Sequence, residues 1–140
     1  SWFLGKPARI TSMYNYFTGR AVEDNAVCAI EFKNKAVAIV ETSLVTYRTP
    51  GSLEIYGTEG TLIAIGRDVK LISEKMPEKF KGWVSPQDLP KPLDPPLKQW
   101  VDAITLGTPI RYDLEEGTKL TELLEASYIA HKEKREVEFK

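Results

Sequence analysis

Between residues 8 and 74 the chain repeats one pattern: a short run rich in β-branched and aromatic residues, then a short turn, with no helical periodicity in between. The runs are residues 8–17 (ARITSMYNYF), 26–32 (AVCAIEF), 36–45 (AVAIVETSLV), 52–57 (SLEIYG), 61–66 (TLIAIG) and 69–74 (VKLISE). Parallel neighbours would each need a crossover of a dozen or more residues, which these links lack, so an antiparallel meander is expected. The link KNK, residues 33–35, fits a hairpin in which Asn34 tolerates positive φ.

The stretch GTEGT, residues 57–61, could be read as a phosphate cradle or as a bend. A phosphate loop needs GxxxxGK with Ser or Thr, or GxGxxG between a strand and a helix. Neither spacing is present, a strand follows, and Glu59 would repel phosphate. The expectation is a hairpin on a type I turn with Gly60 in the left-handed conformation.

Residues 75–96 are rich in Pro and Lys and read as a long crossing loop, anchored by Phe80 and Trp83. A helix is expected from an N-cap at Asp94, with Leu97, Trp100, Val101 and Ile104 on one apolar face and Gly107 as its stop. A second begins at Asp113, with Glu116 completing a capping box. Its inward face should carry Leu120, Leu123, Leu124 and Ser127, with Gly117 allowing close approach of another backbone. The alternation of Val137 and Phe139 with charged residues makes a last, edge-type strand.

The expected architecture is therefore α+β: an open-faced, mainly antiparallel sheet with helices on one face. The strand at residues 36–45 is apolar on both sides, so the second face, expected to carry several of the tyrosines, needs a cover. A second copy of the chain packed sheet on sheet is the simplest one, giving a homo-oligomer, dimer or tetramer.

Composition excludes several functions. The 19 basic and 20 acidic residues nearly cancel, which removes the field that draws nucleic acid or an anionic membrane. No apolar run reaches the length of a membrane span, so a cytoplasmic location is the default. The single cysteine, Cys28, cannot form an intrachain disulfide and alternates onto the face of Ile30 and Phe32 as a small core residue. His131, the only histidine, lacks the companions of a metal site or a triad, and its place near a helix end fits a dipole interaction. Glu23 and Asp24 form an acidic pair of the kind found in solvated turns.

Three segments go further: VEDNAVCAIEFKNKAVAIVETSLV, PGSLEIYGTEGTLI and DLEEGTKLTELLEASYIAHKEKREVEF. In order and spacing they resemble the C-terminal domain of the Gfo/Idh/MocA family of NAD(P)-dependent oxidoreductases. The resemblance implies a two-domain enzyme, in which an N-terminal Rossmann domain holds NAD or NADP and residues 1–140 form a single substrate-binding and oligomerisation domain. Hydride would pass between nicotinamide and a carbon bearing a hydroxyl, in a sugar, polyol or related compound. The family's GxGxxG fingerprint, its EKP segment with the catalytic lysine and its DxxxH-type helix match no position here. No catalytic, cofactor-binding or metal residue is assigned, and the chain alone is expected to be inactive and to bind no cofactor.

The opening SWFLGKP, without a methionine, fits an excised piece of a longer protein. One wall of the substrate pocket would remain to this domain. Asp24 and Asn25 before a strand, and Tyr47 and Arg48 in the loop after one, carry polar groups suited to a hydroxyl-rich ligand. The alternative is a stand-alone dimeric α+β module that binds a small ligand or a protein.

Overall fold

Short runs that alternate between burial and exposure build eight strands and two α-helices among residues 3–48, 51–111 and 113–140, the part described in the computed structural model. The strands are β1 (Pro7–Asn15), β2 (Asn25–Phe32), β3 (Val37–Ser43), β4 (Ser52–Gly57), β5 (Gly60–Ile65), β6 (Asp68–Ser73), β7 (Gly82–Val84) and β8 (Val137–Glu138). The helices are α1 (Pro96–Leu106) and α2 (Leu114–Glu133). Every strand pairing is antiparallel, and the class is α+β as expected.

The meander does not form one wide sheet. It parts after β3 into two four-stranded sheets, ordered β3-β2-β1-β8 and β4-β5-β6-β7. The chain divides accordingly into two compact units, one with the residues up to Thr46 together with Pro95–Lys140, the other Tyr47–Asp94.

In the first unit Ile10, Ile30, Phe32 and Ala126 form the buried core, joined by Leu4, Cys28, Ala36, Ala38, Leu123, Val137 and Phe139. The register explains the set. Ile10 pairs Ile30 and Ser12 pairs Cys28 across β1 and β2, so alternate residues of both strands face α2, which lies along β1. Fully burying a side chain such as Ile10, 1% exposed, contributes roughly 1.5–3 kcal/mol. The other face of this sheet carries Met13, Val27, Val37 and Ile39, all exposed. The tyrosines expected there are elsewhere: Tyr14 is buried under α2, because its even-numbered position shares the face of Ile10.

The helices depart from expectation in instructive ways. Asp113 does cap α2, accepting the Glu116 N–H at 2.9 Å. Of the expected inward residues, Leu123 and Ser127 point to the sheet, whereas Leu120 and Leu124 are exposed. The buried stripe runs instead through Ala126, Ser127 and Ala130, small residues that let the helix approach the strands. Gly117 has open space around it and serves no close approach. Helix α1 starts after an N-cap at Pro95 rather than Asp94, and Gly107 ends it in the left-handed region, φ 67°. α1 buries none of its residues.

In the second unit the hairpin at GTEGT is present, with Gly57 opposite Gly60. Gly60 is not left-handed. An added Cβ would lie 2.8 Å from the Ile72 carbonyl oxygen and 2.8 Å from the Ser73 Cβ, so the glycine is required by the passage of β6. The turn after β2 likewise puts Lys35, not Asn34, at positive φ, while the Asn34 side chain accepts the Ala36 N–H at 3.1 Å. The long loop contributes the unexpected strand β7, because Trp83 and Val84 alternate opposite β6. Val84 is its buried residue; Trp83, expected as an anchor, is mostly exposed, and Phe80 is half-buried.

Candidate functional site

Where β1 runs past the short β8, its backbone loses a strand partner, and the C-terminal half of α2 supplies side chains in its place. The Tyr14 N–H donates to His131 Nδ1 at 3.2 Å, which requires Nδ1 to carry no proton and leaves Nε2–H as the donor of the ring. The Tyr14 ring stacks on His131 with centroids 5.0 Å apart and meets Tyr128 edge-on at 5.0 Å. Tyr16 lies next to the same imidazole, 6.4 Å away.

Ser127, buried under this cluster, ties three elements together. Its hydroxyl lies 2.6 Å from Tyr14 Oη and 3.1 Å from Cys28 Sγ, and its carbonyl accepts from Ser12 Oγ at 2.5 Å. Burial raises the Tyr14 phenol above its ordinary range. Tyr128 donates its hydroxyl to the Glu23 carboxylate. That hydrogen bond first, and burial second, push the Tyr128 phenol up to about 12; the same hydrogen bond holds the Glu23 carboxyl below its usual range against the opposing effect of burial. Both hydroxyls thus stay protonated at neutral pH; Tyr128 donates to Glu23, while between Tyr14 and Ser127 either hydroxyl can donate.

Asp24 is 5% exposed, so it is not part of a solvated turn. Its carboxylate accepts the Phe17 and Thr18 N–H groups at 2.9 and 2.7 Å. The Thr18 contacts, followed by the Phe17 N–H, hold it below the usual carboxylate range. Its backbone also clasps Asn15 and Leu44. The group shapes the loop that presents Tyr16 and Glu23. Asn25, the first residue of β2, is half-buried and pairs Asn15 on one side and Ser43 on the other. Tyr47 and Arg48 belong to the second unit; the guanidinium lies 5.2 Å from the Tyr47 ring centroid, and Arg48 takes φ 49°.

Of the residues singled out from the sequence as candidate substrate contacts, Asp24 and Asn25 lie at the β1–β2 end of this unit; Tyr14 and Tyr128 were not singled out, Ser127 was expected only as an inward-facing residue and His131 only as a helix-end residue. The signal was present: Ser127 and His131 sit four apart on α2, and Tyr14 falls in step with Ile10 on β1. Among the described residues no group of His, Cys, Asp and Glu could hold a metal ion, and no helix is long and apolar enough to cross a membrane.

A family model described as the GFO/IDH/MocA C-terminal domain matches residues 1–63. No curated protein sequence matches the chain. Among solved structures, it resembles GenD2 from gentamicin A biosynthesis, solved in complex with NAD, at 25% identity and TM-score 0.72, covering 99% of this chain and 44% of that one. The WlbA dehydrogenase from Bordetella pertussis, in complex with NADH and UDP-GlcNAcA, gives 20% and 0.73, covering 99% of this chain and 40% of that one. The aldose-aldose oxidoreductase from Caulobacter crescentus, complexed with glycerol, gives 16% and 0.75, covering 96% and 42%. The chain therefore spans less than half the length of these relatives.

Proposed function

From the premise that this chain has the signature and fold of a Gfo/Idh/MocA C-terminal domain, we propose that it is the substrate and assembly domain of an NAD(P)-dependent oxidoreductase acting on a sugar, polyol or related hydroxyl compound. The observation that carries the reading is the agreement in fold of nearly the whole chain with less than half of proteins solved with NAD or NADH. The strands described here pair only antiparallel, and a dinucleotide is ordinarily held by a parallel βαβ unit, which supports a reading in which the cofactor is held by another part of the full-length protein.

Within the first unit, the rim formed by Tyr16, Glu23, Asn25 and the His131 Nε2–H offers donors and acceptors to substrate hydroxyls, and Asp24 fixes the loop that carries it. Tyr47 and Arg48 offer a second polar surface on the other unit. The exposed Met13, Val27, Val37 and Ile39 form the face through which a homo-oligomer assembles. The test is a screen of sugars and polyols for NAD(P)-linked oxidation by the full-length protein. Asn25→Ala and Arg48→Ala are expected to raise KM with the cofactor Kd unchanged. Wild-type KM in both variants would remove these residues from the site.

A further inference from the structure

At the end of β1 a titratable side chain takes the place of a strand. β8 pairs only with Arg9 and Ile10, and further along the same edge the Tyr14 N–H donates to His131 Nδ1 at 3.2 Å. A backbone N–H must find an acceptor. Imidazole accepts at Nδ1 only while that nitrogen carries no proton, whereas imidazolium donates from both nitrogens. The bond that closes this edge is therefore conditional on the charge of one ring, and histidine is the side chain whose charge changes near neutral pH. His131 itself is half-buried, beneath Tyr16 and Tyr128, which are 42% and 45% exposed, so solvent protons reach it.

The groups around the ring pull in opposite directions. From β1, the Tyr14 N–H favours the neutral form, with the Tyr14 and Tyr16 rings beside it. From the loop before β2, the Glu23 carboxylate favours the charged form, and so does the carbonyl end of α2, because His131 lies in its last turn. Asp24, in the same loop, is committed to the Phe17 and Thr18 N–H groups. On α2, Tyr128 donates to Glu23; Lys134 and Arg135, one turn on, oppose a further positive charge, and Arg135 is paired with Glu133. We propose that His131 is a proton-operated latch on the end of β1: neutral, it holds the Tyr14 N–H, and protonated, it releases that bond and pairs with Glu23 in competition with the Tyr128 hydroxyl. The release reaches the neighbouring loop, because the Asp24 N–H is anchored on the carbonyl of Asn15, the residue after Tyr14. The latch stands on the hydrogen bonds of the first unit and not on the oxidoreductase reading. Where that reading holds, the latch makes the rim that carries Tyr16, Glu23 and His131 sensitive to acid.

The test is a pH titration of the full-length protein labelled with 13C-histidine and 15N-tyrosine, with His131→Asn and Tyr14→Phe assigning the two resonances. Between about pH 8 and pH 5, where histidine changes charge, the Tyr14 amide is expected to shift with the same midpoint as the His131 ring. Its protection from exchange, corrected for the intrinsic effect of pH, should fall about tenfold, the worth of one hydrogen bond. In His131→Asn the side-chain oxygen occupies the place of Nδ1 and accepts without titrating, so the Tyr14 amide should no longer respond. Glu23→Gln should move the His131 midpoint to lower pH, because the charged ring loses its partner. A Tyr14 amide that stays unchanged while His131 titrates overturns the latch, and so does a ring that takes up no proton over this span. The same pH response in His131→Asn assigns the effect to another group and also overturns it, and an unmoved midpoint in Glu23→Gln removes Glu23 as the partner of the charged ring. Should a variant not fold, the wild-type titration alone decides whether the amide follows the ring.

Discussion

At the scale of single residues, Ser127 and Asp24 show how much structure a small polar group can hold. Ser127 satisfies the buried Tyr14 hydroxyl, so Ser127→Ala should cost about 1–3 kcal/mol by stranding that group. Tyr14→Phe removes the need for a partner, and the double variant should cost less than the sum of the two singles. Urea unfolding of the four proteins checks this, and strict additivity would mean that the hydroxyls do not interact. Asp24 makes a pH-dependent contribution. Its folded carboxyl lies below the ordinary 3.8, so it stabilises above that value and the contribution is lost as pH falls through the lower folded one. Asp24→Asn should lower Tm at pH 7 by several degrees, and the difference from wild type should shrink on acidification below 3.8. A constant difference would deny the carboxylate this role. The inward position of Ser127 was readable from helical spacing, but its partners and the burial of Asp24 were not, because they depend on groups brought together from separate elements.

At the scale of elements, alternation and turn chemistry made the strands legible, and Asp113 made the start of α2 legible. What was hidden follows from packing. The inward face of α2 was expected to be leucine-lined, but close approach to the sheet selects Ala126, Ser127 and Ala130. The role of Gly60 was misread for the same reason: the local turn permits any residue, while β6 passes too near for a Cβ. Gly60→Ala should therefore destabilise the second unit by about 1–3 kcal/mol, as an overpacked contact does. Thermal unfolding would show it, and an unchanged midpoint would return the glycine to an ordinary turn position. Strand β7 escaped notice because it lies in a Pro- and Lys-rich loop, where three residues give too short a period to detect.

At the scale of the molecule, the apolar surface outside the core is organised. Met13, Val27, Val37 and Ile39 gather on one sheet face, and Leu97, Trp100 and Ile104 on one side of α1. The sequence announced the first through strand residues apolar on both sides, and the second through helical spacing, but which face each presents outward needed the structure. Sheet-face assembly predicts that Ile39→Lys shifts the full-length protein toward smaller species in sedimentation at micromolar concentration, with Tm rather than fold affected. An unchanged sedimentation profile would place the oligomer contact elsewhere.

The central proposal is that this domain belongs to a nicotinamide-dependent oxidoreductase whose cofactor is held outside residues 1–140. The most direct measurement is calorimetric titration of NAD(H) and NADP(H) into the full-length protein and, in parallel, into the 140-residue chain. The account predicts saturable binding of one of these cofactors to the longer chain and none to the shorter. Binding to neither would contradict it and favour a stand-alone ligand- or protein-binding module.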